Sequence, residues 1–196
     1  MSVDRPENLR DFRRIIIGID PGTNVMGYGV LGVRGRQPEV VALGALRFKA
    51  AESHYLRLRR IHEDVLELVA RYLPDEMAIE APFFGKNVQS MLKLGRAQGV
   101  AMVAALVRDI PVTEYEPRKI KQSITGNGAA SKEQVQEMLR RILNMSRSEL
   151  PRELDATDAL AAALCHYYES DTPRPASGPR SWKEFVAKNP GKVSGL

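Results

Sequence analysis

A chain of 196 residues with 43% apolar and 27% charged side chains has the length and composition of one globular domain with a proper core. No apolar run approaches the ~18 residues a membrane span needs, and the single Cys165 cannot close an internal disulfide, so a reducing cytoplasm is the expected compartment. The formal net charge of +5 is compatible with a polyanion partner but does not by itself select nucleic acid.

Residues 1–13 are polar, lack a hydrophobic leader segment and read as a flexible lead-in. Three strand-like runs follow at 15–19, 25–33 and 39–48, punctuated by Gly22, Gly35 and Pro38, which predicts antiparallel neighbours. In HYLRLRRIHEDVLELVARYL, Leu58, Ile61, Val65, Leu68 and Tyr72 recur at helical spacing, and Pro74 ends the helix. Residues 77–80 read as a fourth strand. A helix over about 87–109 is apolar on more than one face, so it needs burial both against its own sheet and against a partner. Residues 111–115 predict a fifth strand, and a short helix near 117–124 leads into the loop 125–128. Ser131-Lys132-Glu133-Gln134 has capping-box form and starts a helix to about 143. A last helix spans roughly 154–168.

The order predicts an α/β domain over 14–169, with helices on both faces of a mixed sheet whose parallel part begins after the third strand. Residues 170–196 change to Pro, Gly and Ser with five Lys/Arg against two Asp/Glu from 171 onward, a basic, weakly structured tail. Trp182, Phe185 and Val186 offer one small docking point there.

Four acids need explaining. Asp20 ends the isoleucine-rich first strand and opens Asp-Pro-Gly, a good turn sequence in its own right. Glu80 ends a short apolar strand just before Ala81-Pro82, with no charged face to account for it. An acid there points out of the carboxyl end of the sheet, where ligands bind in open α/β folds. Asp155 and Asp158 share one face of the last helix by their i, i+3 spacing, although acids also favour a helix start for its dipole. Four carboxylates on one spot repel one another unless a cation compensates. An oxygen-only set selects a hard ion, Mg²⁺ or Mn²⁺, over Zn²⁺. Of the three histidines, His54 and His62 read as surface residues of one helix, and His166 as a neighbour of the acid face. In a basic protein, such a site suggests phosphodiester hydrolysis, with one or two ions activating water.

The blocks IIGIDPGTNVMGYGV, AIEAPFFGKNVQSMLKLGRAQGVAMVAAL, YEPRKIKQSITGNGAASKEQVQEML and DATDALAAALCH, in this order, resemble the RuvC-type Holliday junction resolvases. The resemblance covers most of residues 14–168. It implies an RNase H-like fold with a five-stranded mixed sheet, and a Mg²⁺-dependent homodimer that nicks four-way DNA junctions at two symmetric points. It also implies 5′-phosphate and 3′-hydroxyl products, and work beside the RuvA and RuvB branch-migration complex in recombination and repair. The family's acidic quartet falls on Asp20, Glu80, Asp155 and Asp158. Phe83 matches an aromatic that stacks on an unpaired base, against a core-packing alternative. Lys121 and Lys132 match basic residues near the scissile phosphate, and Lys86 and Asn87 share the Phe83 loop. Other readings remain at this point: a different RNase H-like nuclease such as one of ribosomal RNA maturation, a nucleotide-binding ATPase module, or a junction binder that does not cut.

Overall fold

The computed structural model describes residues 5–49, 51–82, 87–151 and 153–171. Phe83, Lys86 and the tail docking point at Trp182, Phe185 and Val186 lie outside them. The ordered elements are β1 (Arg14–Asp20), β2 (Val25–Arg34), β3 (Gln37–Arg47), α1 (His54–Tyr72), β4 (Glu76–Glu80), α2 (Val88–Leu106), β5 (Val112–Tyr115), α3 (Pro117–Thr125), α4 (Lys132–Ile142) and α5 (Leu154–Asp171).

The five strands form one sheet in the order β3-β2-β1-β4-β5. β2 is antiparallel to both β1 and β3, whereas β4 runs parallel to β1 and β5 parallel to β4. The parallel part therefore begins after strand three, as the connection lengths require: short turns join antiparallel neighbours and helices carry the crossovers.

β1 alternates between two cores, as a pleated strand must. Ile15, Ile17 and Ile19 pack with α1 and α2, through residues such as Ile61, Val65, Ala101 and Ala105. Ile16 faces the other way, toward Ile120 of α3, Leu139 of α4 and Leu160 of α5. Each of these isoleucines is fully buried, and burying such a side chain contributes roughly 1.5–3 kcal/mol. The strand end that carries Asp20 is thereby fixed on both sides.

α5 lies directly on the sheet because the strands beneath it carry no side chains at the contact. A methyl group at Gly18 would run into the carbonyl oxygen of Ala159, and one at Gly27 into that of Asp155. From Ala156 to Cys165 the helix is buried at every position except Asp158. Small residues on both partners let the backbones approach, which sets where the first turn of α5 sits.

The helix starts follow their local sequence. Ser53 and Asn87 cap α1 and α2 by accepting from the backbone N–H groups of Leu56 (3.3 Å) and Ser90 (3.0 Å). The capping box at Ser131 and Gln134 forms in full. α1 closes through Leu73 in the left-handed region (φ 44°), just before Pro74. α2 ends at Leu106, a few residues short of the expected 109, because Asp109 also adopts a left-handed φ of 57°. No described helix is long and apolar enough to cross a membrane.

Candidate active site

The pleat decides where the acids point. Ile19 and Ile79 pack in the α1–α2 core, so their neighbours Asp20 and Glu80 project to the opposite face, the one α5 covers. The two are side by side, because Ile19 and Ile79 form the last pair of the parallel β1–β4 ladder. Asp20 also pairs with Gly27 on β2, and the backbone of Asp155 rests on Gly27. Two strand ends and one helix start thus bring four carboxylates from three separate segments to one edge.

Their electrostatics show the crowding. Burial first, then the charges of Glu80, Asp158 and Asp155, push Asp20 up to about 8. Burial and Asp158 push Glu80 up to about 7, against the opposing pull of Lys132 and Lys121. Among the described residues, the side chains of Asp20, Glu80 and Asp155 accept no hydrogen bond. A turn-forming Asp20 would use its carboxylate on nearby backbone N–H groups; here Pro21 and Gly22 make the turn and the carboxylate is left over. Lys132 Nζ pairs with Asp158 Oδ2, and burial opposes its charge while the bond to Asp158 raises its pKa overall.

The other end of the same two strands provides a control. Arg14 opens β1 and Glu76 opens β4, and Arg14 Nε donates to Glu76 Oε2 at 2.9 Å. His166 Nε2 meets the same oxygen at 2.8 Å, while its Nδ1 meets the Tyr115 hydroxyl at 2.8 Å. Burial would raise Glu76, yet the bonds and charges of Arg14 and His166 outweigh it and hold the carboxyl below its usual value. This acid has cations of its own, whereas Asp20 and Glu80 are left needing one. His166, expected beside the acid face, is instead part of this structural network: it lies eight residues beyond Asp158, about 12 Å along a helix.

The remaining site expectations divide. Lys121 and Lys132 come to the acids from α3 and α4, on the α5 face of the sheet. Lys121 also lines a cavity of about 740 Å³ with Ala81, Pro82, Gln122 and Gly128. Asn87 is exposed and caps α2 through Oδ1. A residue the sequence reading missed is Gln98, buried on α2, whose Nε2 donates to the carbonyl of Glu80 at 3.3 Å and to Glu114 Oε1 at 3.2 Å. An amide within an otherwise apolar helix face was the available signal.

Residues 16–166 match the family described as crossover junction endodeoxyribonuclease RuvC. The chain belongs to the RuvC family. The RuvC of Bacteroides fragilis is 61% identical over 180 residues, covering 92% of this chain and 96% of that protein. That of Porphyromonas gingivalis is 58% identical over 183 residues, covering 92% and 97%. Among solved structures, Thermus thermophilus RuvC in complex with a Holliday junction substrate superposes with a TM-score of 0.75. It is 36% identical and covers 81% of this chain and 95% of that one. RuvC membership sets aside the ATPase and ribosomal RNA maturation readings, and the RNase H-like fold implied by the motifs is present with its five-stranded mixed sheet.

The donor set fits a hard divalent ion: oxygen ligands only, partly buried and mutually repelling, with three of the four, Asp20, Glu80 and Asp155, accepting no hydrogen bond among the described residues. Among the described residues no three Asp, Glu, His or Cys side chains already stand at coordinating spacing. The carboxylates nonetheless interact electrostatically, and Lys132 pairs with Asp158.

Proposed function

We propose that this chain is a Mg²⁺-dependent endonuclease, with Mn²⁺ as a substitute ion, that resolves four-way DNA junctions by paired symmetric nicks as a homodimer. The observation that carries the reading is the pair of adjacent strand-end carboxylates, Asp20 and Glu80, pushed up to about 8 and 7 with no donor among the described residues. RuvC-family nucleases depend on a divalent metal, and Asp20, Glu80, Asp155 and Asp158 are the residues that would hold it. When bound, one or two such ions would supply charge neutralisation and a more acidic water.

The chain's own groups have distinct tasks. Asp20, fixed at the end of β1, would hold the ion together with the other acids, and Glu80 would also orient the attacking water. That water gives up a proton to solvent and its oxygen bonds to phosphorus as the bond to O3′ breaks, leaving a 5′-phosphate, while the departing O3′ takes up a proton and becomes the 3′-hydroxyl. Lys121 and Lys132 offset the charge of the scissile phosphate. Phe83 is assigned base stacking at the crossover, with Lys86 and Asn87 along the backbone, on the strength of the motif match. Stacking is sequence-tolerant because every base offers a π-face.

The homodimer reading rests on α2. Val88, Leu92, Val103, Leu106 and Val107 are all exposed along it, and Val100 and Val103 meet Leu58 of α1 across an apolar groove of about 460 Å³. A contiguous exposed apolar surface of this kind marks an association site. Recombination and repair beside the branch-migration proteins RuvA and RuvB is the corresponding cellular setting. The test is cleavage of a synthetic four-way junction and of linear duplex, each with and without Mg²⁺. Symmetric nicks in the junction alone, with Mg²⁺ alone, support the reading. Equal cutting of the duplex, or none of the junction, overturns it.

A further inference from the structure

On the opposite face of the sheet from Lys121 and Lys132, a second concavity opens beside the turn that follows Asp20. Thr23, Asn24, His54, Arg57, Ser90 and Lys93 line a polar cavity of about 290 Å³. Thr23 lies three positions after Asp20, a reach of at most about 10 Å of chain. The cavity therefore belongs to the same sheet edge as the four acids, although it is built from α1, α2 and the β1–β2 turn.

Its chemistry is cationic. Arg57 Nη1 donates to Thr23 O (3.2 Å) and Asn24 Oδ1 (2.7 Å), and its Nε to Glu52 O (3.2 Å), bonds that orient the guanidinium at the cavity wall. Lys93 is exposed and forms no ion pair among the described residues. Both ring nitrogens of His54 are shut off from solvent and find no hydrogen-bond partner among the described residues. Buried polar atoms are normally satisfied, by protein, water or a ligand. Burial first, then the charges of Arg96, Lys93 and Arg57, hold His54 below its usual pKa, which reports the positive field in the cavity. His54 opens α1 and Ser90 lies in the first turn of α2, so the positive ends of two 19-residue helices add to that field.

We propose that this cavity seats a DNA backbone phosphate of the cleaved strand, one or two nucleotides from the scissile one, with Lys93 and Arg57 as its charged contacts and Thr23 and Ser90 as its hydrogen-bonding wall. The proposal rests on the nuclease reading of the acids. A strand crossing the sheet edge then meets cations on both faces, Lys121 and Lys132 on one and Arg57 and Lys93 on the other, with the acids between. Two anchors flanking the scissile position fix the strand's path, which a single anchor leaves free to pivot.

Junctions carrying a single neutral methylphosphonate at successive positions of the cleaved strand test this, with affinity read by fluorescence anisotropy in metal-free buffer. Wild-type protein is expected to lose roughly 3–10-fold at one linkage within two nucleotides of the cut. Lys93→Gln should lose a similar factor on the unmodified junction, lower the salt slope by about one, and no longer sense that linkage; Lys93→Arg should restore the response. The side chain is exposed, so unchanged thermal unfolding verifies the fold. Unchanged affinity of Lys93→Gln, or penalties from variant and neutral linkage that multiply independently, would overturn the proposal. The nuclease reading fails separately: if wild-type protein leaves the junction uncut with Mg²⁺ while Lys93→Gln still abolishes the methylphosphonate response, the phosphate seat stands and the chemistry does not.

Discussion

Replacing Asp20 by Asn should make the metal-free protein more stable while destroying its activity. A carboxyl near 3.8 in the unfolded chain and pushed up to about 8 in the fold binds more protons when folded. Its contribution to stability is intact below the unfolded value and is lost as pH rises through the folded one. Four units at 1.36 kcal/mol each set an upper bound of about 5 kcal/mol above pH 8. Glu80 shares that titration, since protonating either acid relieves the other, and the realised gain is on the order of 2–3 kcal/mol. For a domain of this size that raises the midpoint of thermal unfolding by roughly 5–10 °C. The assay is thermal unfolding in EDTA at pH 8 and pH 5, then with Mg²⁺ added. The variant should melt higher than wild type at pH 8, by a margin that shrinks to roughly a third at pH 5. Added Mg²⁺ should stabilise the wild type alone. A variant less stable than wild type at pH 8, or a margin independent of pH, would refute the reasoning.

Gly27→Ala should shift Asp155, because the new methyl meets that residue's carbonyl oxygen; a loss of about 1–3 kcal/mol in denaturant unfolding, with cleavage falling further than junction binding, is the expected pair of readings. Lys132→Gln should slow single-turnover cleavage by about 10–100-fold, since it removes the ion pair to Asp158 and a charge beside the scissile phosphate. Leu92→Glu, on the exposed side of α2, should turn a dimer into a monomer in sedimentation at micromolar concentration; a dimer that persists would move the interface elsewhere.

The elements legible in the sequence were those whose signal is local. The isoleucines of β1, the capping box at Ser131 and the proline after α1 each act within a few residues, and each appears where its pattern put it. The places of the four carboxylates on their elements were legible for a related reason: strand-end and helix-start positions are properties of the elements that carry them. Long-range packing was not. Gly18 and Gly27 look like ordinary strand glycines until α5 rests on them. His166 shared a helix with Asp158, and helical periodicity gives a face rather than a distance along the axis, so its pairing with Glu76 at the far end of β4 stayed hidden. Arg57 and Lys93 lie 36 positions apart, and the meeting of two helix starts at one turn is what joins them.

The most direct test of the metal-site assignment is to measure junction cleavage and junction affinity together for Asp20→Asn, Glu80→Gln, Asp155→Asn and Asp158→Asn. Each variant should lose cleavage in Mg²⁺ by roughly a thousandfold or more, the scale on which essential catalytic groups act. Each should bind the junction in EDTA within a few fold of wild type. Any one of the four cutting at the wild-type rate, or losing metal-free binding along with cleavage, would contradict the assignment of these carboxylates to a metal site.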